Sequence, residues 1–276
     1  MSSSYALPSV DAKAPGPDLD RRVARREVGA VTTLEPLATV FVYASLSALA
    51  AALGALPQAL RVPPSRAVIG WGNALAGGLM LGVAYALLTE GLRGGLVAGG
   101  AGALLGMGFA RGAHTAAGTH ELDLESPESA SARGGHKAVL VDALHAADEG
   151  VAIGAAMAVS MPLGIAMATT LAIHNIPEAM VLTSVLTRLG LLPYQSAVLA
   201  VAVNVSQVLL AVLAFSLAAL WPFMLPWLAG FAVGALIYRT LVELLPESYA
   251  QAGRTSIAVV TLLALGVVVL LVGVTS

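Results

Sequence analysis

Two stretches of this sequence place a histidine four residues before a glutamate. The pairs are His145 with Glu149 and His174 with Glu178. Residues four apart share one face of a helix, so each pair presents an imidazole and a carboxylate together. This ligand set suits Zn²⁺, and also Cd²⁺, Fe²⁺, Mn²⁺ or Co²⁺. Two glutamates balance the charge of one divalent ion, so the pairs predict a shared cation site, and without an ion we expect the glutamates to bind protons.

The segments that carry these pairs belong to a chain too apolar for a soluble protein. Of its 276 residues, 58% are hydrophobic and only 11% are charged, whereas soluble domains carry about 25% charged residues. No charged residue occurs within 67–89, 150–177, 189–238 or 255–276. Apolar runs of about 18 residues or more indicate helices that cross a bilayer. The sequence therefore predicts an all-α, multi-pass protein of a cell membrane.

Charge and cysteine content exclude several other classes. A net charge of −2 gives no sign of a nucleic-acid partner, and the lack of cysteine excludes disulfide scaffolds and iron–sulfur clusters. Residues 1–33 are polar and contain a basic cluster, which predicts a flexible, solvated tail with anionic lipid as an alternative contact. The basic residues of this tail are Lys13, Arg21, Arg22, Arg25 and Arg26.

Residues 34–276 are predicted to form one transmembrane domain of eight helices. A WPFMLP stretch at 221–226 divides the long uncharged block, because prolines and tryptophan suit an interfacial turn. The eight predicted spans cover approximately 36–59, 67–89, 94–111, 138–159, 163–187, 193–220, 226–244 and 256–275.

The loops between these spans predict the orientation. Seven Lys or Arg residues fall in one set of alternate loops, whereas Arg93 alone falls in the other set. The positive-inside rule then places both termini outside. The basic tail opposes this assignment, but its arginines begin about ten residues before the first span, so we give the loops more weight.

Between the third and fourth spans, residues 112–137 read as a polar loop. It contains three histidines among carboxylates, which predicts an acidic linker, with weak capture of cations as the alternative. The three histidines are His114, His120 and His136.

Ionisable side chains at the middle of a bilayer cost roughly 2.5–3.5 kcal/mol, so each needs a partner or a function. Asp142 precedes His145 by three residues on the same face and is predicted to guide ions, whereas Asp148 points elsewhere and is assigned a hydrogen bond within the protein. Pro177 leaves the carbonyl of Ile173 without its helical donor. We therefore expect a broken turn that lines an ion path, with a packing kink as the alternative.

Other polar residues in the spans are less specific. Met80 is a possible soft ligand, although most such methionines are core residues. Arg239 precedes Glu243 by four residues, which favours an ion pair between them. Asn204 and Gln207 are predicted to form hydrogen bonds between helices.

Taken together, these motifs resemble the ZIP (Zrt/Irt-like) metal transporter family, and within it the bacterial GufA-like branch. The carriers are the HAADEGVAIG stretch at 145–154, similar to the family's HNxxEGLAIG, and HNIPE at 174–178, similar to its HNIPEG. ALGALP at 52–57 and VELLPES at 242–248 are weaker matches. The likeness runs from about residue 36 to the C-terminus.

The resemblance implies eight helices, both termini outside, and a binuclear metal centre between the fourth and fifth helices. It also implies an elevator in which helices 1, 4, 5 and 6 move against helices 2, 3, 7 and 8. By position, the metal ligands are His145, Glu149, His174 and Glu178, with Asn175 and Met80 as additions.

Departures from the family pattern fall on the second metal position. The Asn that follows the first histidine is Ala146 here, Asn175 stands where many members have Asp, and Gln207 stands where many have Glu. Glu243 remains, with Arg239 one turn away. We therefore predict one tight metal, with Asp142, Gln207, Glu243 and Arg239 as residues of a weakened second site or of the pathway.

These observations favour a divalent cation transporter that moves zinc into the cytoplasm by alternating access. The alternatives are a structural or sensory membrane protein, in which His–Glu pairs hold helices together, and an intramembrane metalloenzyme. No His-Glu-x-x-His stretch occurs, so we do not expect an enzyme. The expected partners are the metal ion and membrane lipid, and the sequence leaves open whether two copies form a homodimer.

Overall fold

The computed structural model describes residues 35–62, 65–117 and 132–275, and within those ranges it contains helices but no strand. The predicted tail, 1–33, lies outside the described residues. The chain divides after Pro36, and the unit Leu37–Ser276 contains the packing described below. The eight helical segments are α1 (Glu35–Ala59), α2 (Arg66–Gly91), α3 (Leu96–Ala117), α4 (Ala132–Val159), α5 (Met161–Arg188), α6 (Pro193–Leu220), α7 (Pro222–Gln251) and α8 (Arg254–Thr275).

The length and composition of these helices confirm an all-helical, multi-pass membrane protein. Seven of them, all except α4, are long and apolar enough to cross a bilayer. α4 has 28 residues, which is ample length, but it carries Asp142, Asp148 and Glu149 near its middle. An eighth span therefore remains a prediction, and it depends on whether the packed helices around α4 neutralise these carboxylates.

The predicted loop at 112–137 is shorter than expected. α3 continues to Ala117 and α4 already begins at Ala132. As a result His114 lies on α3, and His136 is an exposed residue of the first turns of α4. His120 falls outside the described residues, so capture of cations by a three-histidine loop stays a prediction.

Short connections hold α4, α5 and α6 beside one another. Ser160 alone separates α4 from α5, and its hydroxyl accepts a hydrogen bond of 3.3 Å from the amide of Leu163, which caps the start of α5. Between α5 and α6, Gly190 has a φ of +94°, a backbone conformation that residues with a Cβ rarely adopt. These tight turns bring the two His–Glu segments side by side.

Close packing divides the helices into two groups. α4 packs on α5 and α6, and α1 packs on α5 and on the first half of α6. In the other group α3 packs on α7, and α2 packs on α7 and α8. The groups meet where α7 lies against α4 and α2 lies against α5. The helices fall into the same two sets that the family resemblance named, while a movement between them remains a prediction.

Glycines allow the backbones of α4 and α6 to approach closely. A Cβ added at Gly150 would lie 2.3 Å from the carbonyl oxygen of Gln207, and one added at Gly154 would lie 2.3 Å from that of Ala211. Such distances exclude any side chain without a shift of the backbone. The small residues therefore place Gln207 of α6 directly beside the Glu149 region of α4.

Two helices depart from regular α geometry near the polar residues of the core. α6 is interrupted at Asn204, and α7 contains a π-helical turn at Thr240–Leu244. In contrast, α5 continues through Pro177 from Met161 to Arg188, so the predicted break at that proline was wrong. Neighbouring helices tolerate a proline where they enclose the freed carbonyl, whereas π turns often occur at functional sites.

Burial differs strongly among the helices. In α2, 67% of the most apolar window is buried, whereas the figure for α8 is 17%. The exposed residues of α8 are large and aliphatic, as at Leu262, Leu263 and Leu270. In a membrane these surfaces contact lipid chains, so α2 is a central helix and α8 is a peripheral one.

Candidate metal centre

The two His–Glu pairs converge between α4 and α5. The Nε2 atom of His174 lies 3.1 Å from a carboxylate oxygen of Glu149 and 3.3 Å from one of Glu178. The Nδ1 atom of His145 lies 3.5 Å from the other oxygen of Glu178. His174 and Glu149 are fully buried, and His145 is 7% exposed. Nitrogen and oxygen donors from two helices thus surround one small volume.

Two overlapping sets of donors have the spacing that a metal ion requires. In one set Glu149, His174 and Glu178 each offer an atom within 4.8 Å of the others, and in the other Asp142, His145 and Glu178 do so. Glu178 belongs to both sets and is partly exposed, with 21% of its side chain accessible. Glu178 therefore joins the two sets of donors.

Arg239 of α7 enters this group of side chains. Its Nη1 atom donates a 2.6 Å hydrogen bond to Glu149, and its Nη2 atom donates a hydrogen bond to Glu178. The guanidinium is only 2% exposed. We call His145, Glu149, His174, Glu178 and Arg239 the charged cluster. One of the two glutamate charges is balanced by an arginine from a third helix, where the sequence alone predicted bound protons.

The predicted ion pair between Arg239 and Glu243 was wrong. Arg239 bonds instead to Glu149 on α4 and Glu178 on α5. A π turn follows Arg239 in α7, in which the amide of Leu245 bonds to the carbonyl of Thr240, five residues earlier.

Glu243 contacts two histidines instead. One of its oxygens lies 3.4 Å from Nε2 of His145, and the other lies 3.0 Å from Nδ1 of His114 on α3. His145 therefore stands between the charged cluster and Glu243, and His114 marks the end of a row of donors. This row leads from the buried centre to the last turns of α3.

Amide side chains gather on the opposite side of Glu149. Asn175 donates to the carbonyl of Ser47 at 3.0 Å and to the side-chain oxygen of Gln207 at 3.2 Å. Gln207 donates to the Ser47 hydroxyl at 3.2 Å and to Glu149 at 3.4 Å. The interruption of α6 places Asn204 in the same group, where its oxygen accepts from Asn175 at 3.4 Å. We call Ser47, Asn175, Asn204 and Gln207 the amide cluster, which confirms the predicted bonding between helices.

Two further predicted residues have other surroundings. Met80 is buried, and its sulfur accepts a 3.9 Å contact from the Thr240 hydroxyl, next to Arg239. The buried Asp148 lies 4.0 Å from Nη1 of Arg239, and neither of its oxygens has a hydrogen bond to the described residues. The hydrogen bond predicted for Asp148 is thus not found among them, and Met80 borders the centre without a described contact to a carboxylate or imidazole.

Sequence reasoning missed Ser47 and the partners of Arg239. Ser47 carries no ionisable group and stands in an ordinary apolar helix, so no local signal marks it. Arg239 gave a stronger hint, because an arginine follows a charge-free run of 50 residues at 189–238. Such an arginine inside a membrane needs a carboxylate, and Glu149 and Glu178 were candidates besides the one four residues away.

Comparison with known proteins fits this arrangement. The model of the ZIP zinc transporter family matches residues 99–273, a range that includes both His–Glu pairs and Arg239. The chain belongs to the ZIP family. It is also 27% identical, over 238 residues, to an Arabidopsis thaliana protein named "Putative zinc transporter At3g08650". That alignment covers 80% of this chain and 36% of the relative, so this ZIP chain spans about a third of the plant protein's length.

Membership of a transporter family bears on the alternatives that the sequence left open. ZIP proteins move metals across membranes rather than catalyse reactions, and this supports the expectation that the chain is not an enzyme. The membrane-crossing helices of this ZIP chain and its donor groups at metal-ligand spacing agree with the same class.

Proposed function

We propose that this ZIP chain transports a divalent cation, zinc in the first place, through the charged cluster. The observation that carries the proposal is the convergence of His145, Glu149, His174 and Glu178 within 3.1–3.5 Å contacts between two buried helical segments. Imidazole and carboxylate together bind Zn²⁺ well, and Cd²⁺, Fe²⁺, Mn²⁺ and Co²⁺ are alternative substrates. Family membership supports the same activity.

The direction of transport follows from the charges of the loops. The alternate loops rich in Lys and Arg face the cytoplasm under the positive-inside rule, with both termini outside. In that orientation the end of α3 that carries His114 lies on the cytoplasmic side. The row His145, Glu243 and His114 then forms a release route for an ion that moves inward.

Alternating access requires two bodies that change their relative position. The two packing groups are candidates for these bodies. The group of α1, α4, α5 and α6 contains the four proposed ligands, which lie on α4 and α5, and α7 belongs to the other group. A movement of the first group would carry the ion past α7 and would break the contacts of Arg239 with Glu149 and Glu178. This mechanism is an elevator of the kind that the resemblance implied.

We propose that one ion binds tightly. The second position, where the family resemblance places acidic residues, corresponds to the amide cluster. Its amide nitrogens donate to oxygens of Ser47 and Gln207, while the side-chain oxygen of Asn175 has no hydrogen bond to the described residues. Neutral amides offer a divalent ion no charge compensation, and replacing their hydrogen bonds costs free energy. Isothermal titration of the detergent-solubilised chain with Zn²⁺ should give a stoichiometry close to one, and two tight sites would contradict it.

A structural role for the charged cluster is the second candidate. Arg239 already forms ion pairs with both Glu149 and Glu178, so the cluster could hold α4, α5 and α7 together without any ion. The two functions differ in one measurable property, because only a transporter moves zinc across a sealed bilayer.

Uptake of radioactive zinc into proteoliposomes tests the proposal. We expect the wild type to accumulate zinc, and we expect the variants His174→Ala, Glu178→Ala and Glu178→Gln to lose uptake. Glu247→Gln is the matched control, since Glu247 pairs with Gln251 near the end of α7 and should leave uptake unchanged. A wild-type chain that folds and transports no divalent ion would establish the structural role instead.

A further inference from the structure

The charged cluster already holds a cation that belongs to the protein. The guanidinium of Arg239 bonds to Glu149 through one nitrogen and to Glu178 through another. Those carboxylates are two of the four proposed metal ligands. A divalent ion and Arg239 therefore compete for the same oxygen atoms, because a charge-assisted hydrogen bond uses the lone pairs that a metal bond would use.

This competition does not affect all four ligands equally. An arginine has donors only, so it binds carboxylates and has no attraction for a neutral imidazole. The nitrogens of His145 and His174 face carboxylate oxygens at 3.1–3.5 Å rather than the guanidinium, whereas Glu149 and Glu178 are bonded to it directly. An ion that draws much of its binding energy from imidazole loses less to Arg239 than an ion that depends on carboxylate oxygen.

Divalent metals differ in this respect. Zn²⁺, Fe²⁺ and Ni²⁺ suit imidazole nitrogen, whereas Mn²⁺, Mg²⁺ and Ca²⁺ suit carboxylate, carbonyl and water oxygen. Release of Arg239 also needs an acceptor for its charge. Asp148 supplies one, since this buried carboxylate lies 4.0 Å from Nη1 and neither of its oxygens has a hydrogen bond to the described residues.

From these contacts we infer that Arg239 is a specificity-determining residue, a built-in competitor that favours cations with affinity for imidazole over cations that need carboxylate oxygen. When a favoured ion binds, one guanidinium nitrogen moves from Glu149 toward Asp148 while the other stays on Glu178. An ion that needs both carboxylates must displace both nitrogens. The inference rests on the proposed function, since it concerns the choice of ion at the same site. It extends that function by naming the residue that sets the choice.

The test measures the dissociation constants of Zn²⁺ and Mn²⁺ for the full chain in detergent, at one pH and one ionic strength. Arg239→Gln removes the competing charge and keeps a polar side chain. We expect this variant to bind Mn²⁺ about tenfold more tightly, the worth of one charge-assisted hydrogen bond, and Zn²⁺ at most about threefold more tightly. The preference for Zn²⁺ over Mn²⁺ should fall accordingly.

Two further variants complete the series. Arg239→Lys keeps the positive charge, but an ammonium is a point charge without the planar fork that holds two carboxylates at once. Its preference for Zn²⁺ should lie between those of wild type and Arg239→Gln. Arg188→Gln is the matched control, because it removes an exposed arginine at the end of α5, and it should reproduce the wild-type preference.

Several outcomes would overturn the role of Arg239. Unchanged affinities, weaker Mn²⁺ binding, or tightening of both ions by the same factor in Arg239→Gln would each do so. Should Arg239→Gln not fold without metal, Arg239→Lys decides the matter, and a wild-type preference in that variant counts against the inference. Failure of the proposed function gives a different result, in which the wild type binds and transports neither ion. If the wild type takes up zinc and Arg239→Gln shows an unaltered preference, only the role of Arg239 in specificity is rejected.

A thermal unfolding measurement gives a second readout that does not depend on transport. A ligand raises the unfolding midpoint in proportion to the logarithm of its concentration over its dissociation constant. We expect Mn²⁺ to raise the midpoint of Arg239→Gln more than that of wild type at the same concentration. An equal rise in both chains would contradict the competition.

Discussion

The charged cluster and the amide cluster lie on either side of Glu149 and stabilise the same region in different ways. In the amide cluster, Gln207 and Asn175 satisfy each other and Ser47 through neutral hydrogen bonds at 3.0–3.2 Å. In the charged cluster, two carboxylates, two imidazoles and one guanidinium balance their charges across three helices. The first arrangement is neutral, and the side-chain oxygen of Asn175 has no hydrogen bond to the described residues. The second contains carboxylates that can exchange one cation for another.

This difference shows why one position remains suited to a metal and the other does not. A neutral amide network gains little when an ion replaces its hydrogen bonds. A carboxylate pair loses nothing in charge balance when a divalent ion takes the place of an arginine that has a second acceptor nearby. Substitutions of Glu149, Gln207, Asp148 and His114 test this contrast, with effects expected to decrease in that order.

Glu149→Gln should have the largest effect, because Glu149 belongs to the charged cluster and also accepts a hydrogen bond from Gln207 of the amide cluster. The change removes a metal ligand and one partner of a buried ion pair. We expect zinc affinity to fall about a hundredfold, and the free energy of unfolding to fall by about 3 kcal/mol. Isothermal titration and thermal unfolding of the detergent-solubilised chain measure the two effects.

The control for this change is Glu247→Gln, which alters a carboxylate outside both clusters and should preserve both quantities. A Glu149→Gln variant that keeps wild-type zinc affinity would show that the ion binds elsewhere. In that case the charged cluster would serve only to join helices.

Much of this arrangement could be predicted from the sequence. The four-residue spacing of each His–Glu pair predicted that His145 and Glu149 share one helical face and that His174 and Glu178 share another. The apolar runs predicted the helices that carry them. Four-residue spacing within a regular helix is a local property, and for that reason it can be predicted without tertiary information.

The remainder depends on irregular or long-range features. The carboxylates that Arg239 contacts lie on α4 and α5, far from it in the sequence, so no local signal favours them over Glu243 four residues away. The interruption of α6 at Asn204 was not predicted either. The sequence indicated only that Asn204 forms hydrogen bonds between helices. Pro177 was expected to break α5, but packing against neighbouring helices overrides this local preference.

Gln207→Glu should give the amide cluster the charge that it lacks. The new carboxylate would stand beside Glu149, which already accepts from Gln207 at 3.4 Å, and two neighbouring carboxylates favour a bound cation. We expect the zinc stoichiometry to rise from one to two in isothermal titration. Gln251→Glu is the control, since Gln251 lies near the end of α7 and away from both clusters, and it should leave the stoichiometry at one. A Gln207→Glu variant with one site would indicate that the amide cluster is unsuited to a metal for reasons other than charge.

Asp148→Asn should have a smaller effect that depends on Arg239. With no carboxylate to receive it, the guanidinium stays on Glu149 and Glu178, and we expect zinc affinity to fall about tenfold. In an Arg239→Gln background the same change should reduce affinity by no more than about threefold, because only a distant charge is lost. A double-mutant cycle on the two positions measures this coupling. Equal losses in both backgrounds would show that Asp148 acts independently of Arg239.

His114→Ala should have the smallest effect, and it acts on rate rather than affinity. His114 lies beyond Glu243, whose other oxygen contacts His145, so it is separated from the charged cluster by one side chain. We expect the initial rate of zinc uptake into proteoliposomes to fall about threefold, a loss on the order of one weak interaction, while zinc affinity in detergent stays constant. A tenfold loss of affinity would place His114 in the binding site, and an unchanged rate would remove the row His145, Glu243 and His114 from the path of the ion. Either result would separate the charged cluster, where an ion binds, from the residues through which it leaves.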